Sequence, residues 1–181
     1  MNSPAEQPLD SSTVRDAAQL GEGLYATIML RDAVFRPGLR DDLRFLYRAL
    51  APGGLLIVQT YLAPAHKRAP RYVEALVSVL QGRRVYLHNQ YAWARWLREL
   101  DCQVLKNEQR DLIMDLDTLA IPPARRQQAA ILLAQCPADA APFILPVEPP
   151  SAGKILQVRQ LELIVKRPAQ QAALTGVGNE L

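Results

Sequence analysis

The pattern of hydrophobic positions changes its period twice between residues 24 and 62. The run LYATIML at 24–30 is apolar almost throughout and has polar flanks, which is typical of a buried strand. LLIVQTYL at 55–62 is a second such run. Between them, the hydrophobic side chains recur at helical spacing, with Arg and Asp on the opposite face, at Leu39, Leu43, Leu46, Tyr47 and Leu50. Strand, helix and strand in this order predict a βαβ unit with two parallel, adjacent strands.

A helix-breaking stretch separates this helix from the second strand. Pro52 cannot continue a helix, because it has no backbone N–H and its ring clashes with the preceding turn. Gly53 and Gly54 tolerate the positive φ angles that a sharp turn requires. We therefore expect a tight turn from helix to strand at these residues.

The pattern in the rest of the chain is also typical of an α/β protein. It predicts an amphipathic helix that stops at Gly82, helices at 88–101 and 122–137, and strands at 102–113 and 155–168. The helix at 88–101 has a predicted apolar stripe, joined by two tryptophans and a leucine; the residues are Tyr91, Ala94, Leu97, Trp93, Trp96 and Leu100. We interpret the tryptophans as core or interface anchors rather than as a ligand cage.

Composition indicates one ordinary globular domain and excludes several classes of partner. The chain has 181 residues, of which 49% are hydrophobic, enough for a core. Its 21 basic and 18 acidic residues nearly cancel, so the totals give no reason to expect a nucleic-acid-binding surface. The basic cluster His66-Lys67-Arg68 lies among prolines and is interpreted as a solvated loop rather than a phosphate site.

The cysteines and the apolar runs indicate in which cellular compartment the protein is expected. Cys102 and Cys136 lie far apart, which predicts reduced, mostly buried thiols rather than a disulfide or a metal site. No apolar run reaches membrane-spanning length, and residues 1–12 lack the basic-then-apolar pattern of a signal peptide. We expect a cytoplasmic protein that contacts no membrane and binds no metal.

The order of these elements around LRFLYRALAPGGLLIV (43–58) resembles class I S-adenosylmethionine-dependent methyltransferases, in which a helix leads through a Pro-Gly-Gly turn into the fifth strand. VRDAAQLGEGLYATIMLRDAVF is similar to the family's link between the third and fourth strands, and NQYAWARWLRELDCQVLKNEQRD is similar to its sixth strand and the helix that leads into it. PPARRQQAAILLAQCP and QLELIVKRP are similar to the inserted helix and last strand of the ubiquinone/menaquinone-biosynthesis type. The resemblance covers about residues 14 to 168.

The resemblance implies a truncated Rossmann-like methyltransferase sheet that corresponds to strands four to seven. In it, 24–30 and 55–62 are parallel neighbours, while 102–113 and 155–168 form an antiparallel pair at the far edge. Residues 14–168 would form this partial domain, with disordered segments at 1–13 and 169–181.

The family's glycine-rich cofactor loop and its ribose-binding acidic residue have no match. Gly21-Glu22-Gly23 follows no apolar strand. Asp16 alone matches a cofactor position, the one that meets the adenine amino group in the family. The resemblance therefore implies that the chain does not hold S-adenosylmethionine by itself and meets this cofactor only through a partner chain.

In this fold the methyl acceptor lies beyond the carboxyl ends of strands four and five. Arg31 and Asp32 follow the first of these strands, and Tyr61 and His66 lie at the end of the second. His66, as a base, and Asp32 are the catalytic candidates; Arg31, as an anchor for an anionic aromatic molecule, and Tyr61 are the substrate-binding candidates. Alternatively, His66 is a surface loop residue and Arg31 pairs with Asp32. His88, just before a helix, is interpreted as its cap.

Three functions remain open on this sequence. The first is a subunit without its own cofactor site in a heteromeric methyltransferase that acts on a small, aromatic or secondary-metabolite substrate. The second is a catalytically inactive scaffold or regulator, and the third is a stand-alone methyltransferase. Because the strand at 24–30 would otherwise form an exposed edge, we expect a methyltransferase partner or, failing that, a homo-oligomer.

Overall fold

The alternating strand and helix segments form one mixed sheet of six strands in the computed structural model. The structure describes residues 9–10, 17–31, 33–65, 69–115, 120–146 and 154–169. The strands are β1 (Leu9–Asp10), β2 (Tyr25–Leu30), β3 (Leu50–Leu62), β4 (Gln103–Asp115), β5 (Ile144–Pro146) and β6 (Lys154–Lys166). The helices are α1 (Leu39–Ala49), α2 (Ala69–Gln81), α3 (Gln90–Glu99) and α4 (Pro123–Ala134). None of the described helices is both long enough and apolar enough to cross a membrane.

The strand order confirms the predicted topology. The order is β1-β2-β3-β6-β4, with β1, β2 and β3 parallel and β6 antiparallel to both of its long neighbours. The predicted parallel pair is thus β2 and β3, and the predicted antiparallel edge pair is β6 and β4. The short strand β5 also pairs with β6. It lies in a Pro-rich stretch for which the sequence pattern predicts a loop.

The junction between α1 and β3 has no separate loop. β3 begins at Leu50, which pairs with Tyr25, and the next pair in the register is Thr27 with Leu55. Residues 51–54 therefore bulge from the ladder, where the sequence predicts a turn.

The two glycines of this bulge have different roles. Gly53 has a φ of 80°, a left-handed conformation that disfavours other residues. Gly54 is enclosed instead: a Cβ there would lie 2.8 Å from the carbonyl oxygen of Ala51, 3.0 Å from that of Tyr25 and 3.1 Å from that of Ala26. The close approach of β2 to β3 thus requires a residue without a side chain.

A short N-terminal segment covers part of the outer side of β2. Leu9 pairs with Ile28 and Asp10 with Met29. The expectation that residues 1–13 are disordered does not hold for these two residues, since the backbone groups of β2 offer them hydrogen-bond partners. Among the described residues, nothing else pairs with that side of β2.

The helices cover both faces of the sheet, as the alternation of residues along β6 shows. Leu161, Leu163 and Val165 pack with α1 and α3 in one core cluster. Leu156 and Val158 have the opposite orientation and pack with α2 and α4 in a second cluster. This arrangement of a mixed sheet between two helical layers is the predicted α/β class.

The buried side of α3 differs from the prediction. Trp93 and Trp96 are 2% and 6% exposed and belong to the core. Tyr91 is 67% exposed and Ala94 is exposed too, so the predicted stripe is wrong at both positions. The helix is rotated toward its tryptophans because these rings bury far more apolar area than the side chains of the stripe.

Candidate functional site

Arg31 and Tyr61, predicted from two separate strand ends, line one cavity. Arg31 directly follows β2, and Tyr61 is the next-to-last residue of β3. Because β2 and β3 are parallel neighbours, their carboxyl ends lie at the same edge of the sheet. The cavity, which we call the Arg31 cavity, has a volume of about 180 Å³.

The walls of the Arg31 cavity come from the strands β3 and β6, the segment that follows β2 and the end of α2. Gln59 and Tyr61 share a face of β3, and Gln160 on β6 pairs with Tyr61 and completes that face. Phe35, in a short 3-10 turn (Ala33–Phe35), forms another side. Gln81, the last residue of α2, adds a third amide to the lining. The cavity thus combines two aromatic rings with three amides, a lining suited to a small aromatic molecule with polar substituents.

The surroundings of the Arg31 cavity are positively charged. The guanidinium carbon of Arg83 lies 3.1 Å from the centre of the Phe35 ring, a cation–π contact at the cavity wall. Arg31 is exposed and lines the cavity, whereas the described lining residues include no carboxylate. Arg36, the residue after Phe35, is buried and forms an ion pair of 2.9 Å with Asp42, so its charge is offset. An anionic ligand therefore suits this cavity better than a cationic one.

Three of the sequence-predicted site residues lie outside the described residues. They are the catalytic candidates Asp32 and His66 and the cofactor candidate Asp16. Their predicted roles stay predictions.

His88 does not cap α3, contrary to the sequence interpretation. The cap is Asn89, whose Oδ1 accepts a hydrogen bond of 2.9 Å from the backbone N–H of Ala92. His88 instead accepts a backbone hydrogen bond of 3.0 Å from Ala63 and thereby holds the segment after β3. Its ring meets that of Trp96 edge-on, with centroids 4.8 Å apart. Burial lowers the pKa of His88 below its usual value of 6.5, and the nearby Glu74 carboxylate opposes this only in part.

The two cysteines are free, and both are half-buried. Burial is nevertheless sufficient to raise the pKa of the Cys102 thiol, whose Sγ lies 3.5 Å from the carbonyl oxygen of Leu97. The part of the chain that the structure describes contains no cluster of three or more His, Cys, Asp and Glu side chains that could hold a metal ion.

Two further cavities are lined by residues of β4 and β6, and no pattern in the sequence indicates either. The strand-end cavity, of about 390 Å³, lies between the end of β3, the middle of β4, the first half of β6 and the start of α3. The α3 groove, of about 250 Å³, lies between α3 and the strands β4 and β6. Gln90 and Gln109 line both. Glutamines carry no motif, so only the fold reveals this arrangement.

Comparisons with known proteins find similarity in structure alone. No protein family and no curated protein matches the sequence. A solved structure of a Bacillus halodurans protein assigned as a methyltransferase has a TM-score of 0.71 at 16% identity; the match covers 85% of this chain and 76% of that one. The structure of YcgJ from Bacillus subtilis has a TM-score of 0.69 at 15% identity, and the match covers 83% of this chain and 67% of that one.

A third similar structure contains a product of the methyl donor. It is a phosphoethanolamine N-methyltransferase of Haemonchus contortus in complex with S-adenosylhomocysteine, with a TM-score of 0.50 at 12% identity, covering 84% of this chain and 36% of that one. At these identities the likeness establishes the fold. The chain has the Rossmann-like fold of class I S-adenosylmethionine-dependent methyltransferases.

Proposed function

We propose that this chain is the acceptor-binding subunit of a heteromeric S-adenosylmethionine-dependent methyltransferase, in which a second, complete methyltransferase chain holds the cofactor. The observation that carries the proposal is the Arg31 cavity. It lies at the carboxyl ends of the parallel strands β2 and β3, which is where open α/β sheets bind their ligands.

The charge of the Arg31 cavity supports a role in binding the acceptor rather than the methyl donor. The donor is a sulfonium cation, which Arg31 and Arg83 would repel. An acceptor with a carboxylate or phenolate group would be attracted by the same two guanidinium groups. Phe35 and Tyr61 offer aromatic surfaces against which a ring could pack. We therefore propose a small anionic aromatic acceptor.

The outer side of β2 is the place where we propose that the partner docks. Among the described residues it pairs only with the two-residue strand β1. Met29, Leu55 and Ile57 lie on the face of β2 and β3 opposite to α1, and all three are only half-buried. Open strand edges and exposed apolar surfaces typically mark interfaces. An obligate pairing here would bury more than ~1,600 Å² in total.

Co-expression tests this proposal. The chain would be purified together with each methyltransferase encoded beside it, and methyl transfer from labelled S-adenosylmethionine to hydroxybenzoates would be measured for the complex and for each chain alone. We expect transfer only by the complex. Arg31→Gln should lower kcat/KM at least ~10-fold, the loss typical of one charge-assisted contact. The matched control is Arg95→Gln, an exposed arginine on α3 that should have no effect.

A regulatory scaffold is the second candidate function. The described residues that line the Arg31 cavity include no His, Cys, Asp or Glu that could act as a base. If the complex forms and the partner's methyl transfer is unchanged by Arg31→Gln, the scaffold replaces the acceptor-binding subunit as the function.

A further inference from the structure

Gln160 differs from the other amides of the Arg31 cavity because a neighbouring side chain holds it. It lies directly opposite Arg110 on the antiparallel strands β6 and β4, so the two side chains share one face of the sheet. Nε of Arg110 donates a hydrogen bond of 2.9 Å to Oε1 of Gln160. Within the described part of the chain, the side chains of Gln59 and Gln81 form no hydrogen bond. Gln160 is therefore the amide whose donor and acceptor atoms have fixed places.

The chemistry of Arg110 decides which end of the Gln160 amide a ligand meets. A guanidinium group carries only N–H donors, so it can hold the amide oxygen but not the amide N–H groups. Nε2 of Gln160 has no hydrogen-bond acceptor among the described residues. The group that Gln160 offers to a ligand in the Arg31 cavity is thus a donor rather than an acceptor.

The nearby carboxylates leave Arg110 to Gln160. Glu108 and Glu162 lie on the same face of the sheet, and both pair with Lys106, at 3.2 Å and 3.1 Å. Arg110 is not among the described residues that line the cavity. Its bond to Gln160 is exposed to solvent, so losing it should cost the fold little stability. The consequence of this contact is the orientation of the amide.

We propose that Gln160 selects the ring substituent of the acceptor and that Arg110 is a positioning residue that acts through Gln160. This inference rests on the proposed function, in which Arg31 and Arg83 attract the anionic group of the acceptor. Nε2–H of Gln160 donates a hydrogen bond to a carbonyl, hydroxyl or ether oxygen on the ring. An amino substituent is rejected, because its N–H groups would face those of Gln160. The acceptor is thereby an anionic aromatic molecule with an oxygen substituent.

A ratio of two affinities tests the proposal on the full chain, without cofactor or partner. 4-Formylbenzoate and 4-aminobenzoate are anions of similar size, but the first substituent accepts hydrogen bonds and the second donates them. The 3-substituted isomers cover the other ring geometry. We expect the better-binding formylbenzoate to bind about tenfold more tightly than the better-binding aminobenzoate. It should also move the side-chain amide signal of Gln160 downfield in a ¹⁵N–¹H spectrum, in which Gln160→Met identifies that signal.

Two variants of Arg110 separate positioning from a structural role. Arg110→Met keeps an unbranched side chain but has no donor, so the amide is free to rotate and the affinity ratio should fall to within about twofold of one. Arg110→Lys retains a donor and a positive charge and should keep the ratio of the parent chain. Because both ligands carry the same charge, a general loss of affinity for anions cancels in the ratio. Gln160→Met should abolish the ratio as well.

Unsubstituted benzoate distinguishes failure of this inference from failure of the proposed function. If the chain binds benzoate but prefers neither substituent, the selection by Gln160 is overturned while the acceptor site stands. The same holds if Arg110→Met keeps the ratio of the parent chain, or if Arg110→Lys loses it as completely as Arg110→Met does. If benzoate does not bind at all, the proposed acceptor site is overturned and this inference with it.

Discussion

Replacing Gly54 by alanine should destabilise the chain more than replacing its neighbour Gly53. The added methyl at Gly54 would lie 2.8–3.1 Å from three carbonyl oxygens, all of them backbone atoms. The backbone here has little freedom to move away, because the N–H of Gly53 donates to the carbonyl of Arg167 at 2.9 Å and the carbonyl of Gly54 accepts from the N–H of Arg167 at 2.9 Å. Overpacking of this kind costs about 3 kcal/mol.

The neighbouring substitution separates steric contact from backbone strain. A Cβ at Gly53 meets nothing within 4 Å, so Gly53→Ala carries only the penalty of its left-handed conformation, about 1–2 kcal/mol. Urea unfolding followed by far-ultraviolet circular dichroism measures both variants against the parent chain. If Gly54→Ala were as stable as Gly53→Ala, the close approach of β2 to the start of β3 would not exist as described.

Three further substitutions test the packing, the buried histidine and an ion pair. Leu43→Ala should cost about 3 kcal/mol in urea unfolding because Leu43 is 2% exposed, whereas Arg44→Ala on the exposed side of α1 should stay within about 0.5 kcal/mol. The pKa of His88 is lowered in the folded chain, so as the pH falls below 6.5 the unfolded chain binds a proton at this residue before the folded chain does. The free energy of unfolding should therefore decrease from about pH 6.5 downward. His88→Phe should remove this contribution, which urea midpoints measured across the pH range would show. Hydrogen bonds from Arg40 lower the pKa of Glu99, so Arg40→Gln should raise that pKa in an NMR titration; an unchanged value would show that the ion pair between α1 and α3 does not persist in solution.

The topology could be predicted because its signals are local. The apolar runs at 24–30 and 55–62 and the Pro-Gly-Gly turn each depend on a few neighbouring residues, and their order fixes a parallel pair. Arg31 and Tyr61 could be predicted to meet for the same reason, since both follow from where these strands end. Asn89 was a recognisable helix cap as well, because Asn is a preferred residue at that position and His is not.

The features that could not be predicted depend on contacts between distant segments. β5 has three residues in a Pro-rich stretch and forms because β6 extends beyond the end of β3 and offers it an edge. The rotation of α3 depends on the sheet surface against which its tryptophans pack. The spacing of apolar residues within the helix does not reveal that surface. The pairing of Gln90 with Gln109 requires both the start of α3 and the middle of β4 to be in place.

Calorimetric titration of the purified chain with S-adenosylmethionine tests most directly whether the cofactor is held by a second chain. We expect no measurable heat of binding for the chain alone, and binding only when the methyltransferase partner is present. The Arg31→Gln variant of the complex should still bind the cofactor, since that residue is proposed to contact the acceptor. A dissociation constant in the low micromolar range for the chain alone, about −8 kcal/mol, would contradict the proposal and would favour a stand-alone methyltransferase.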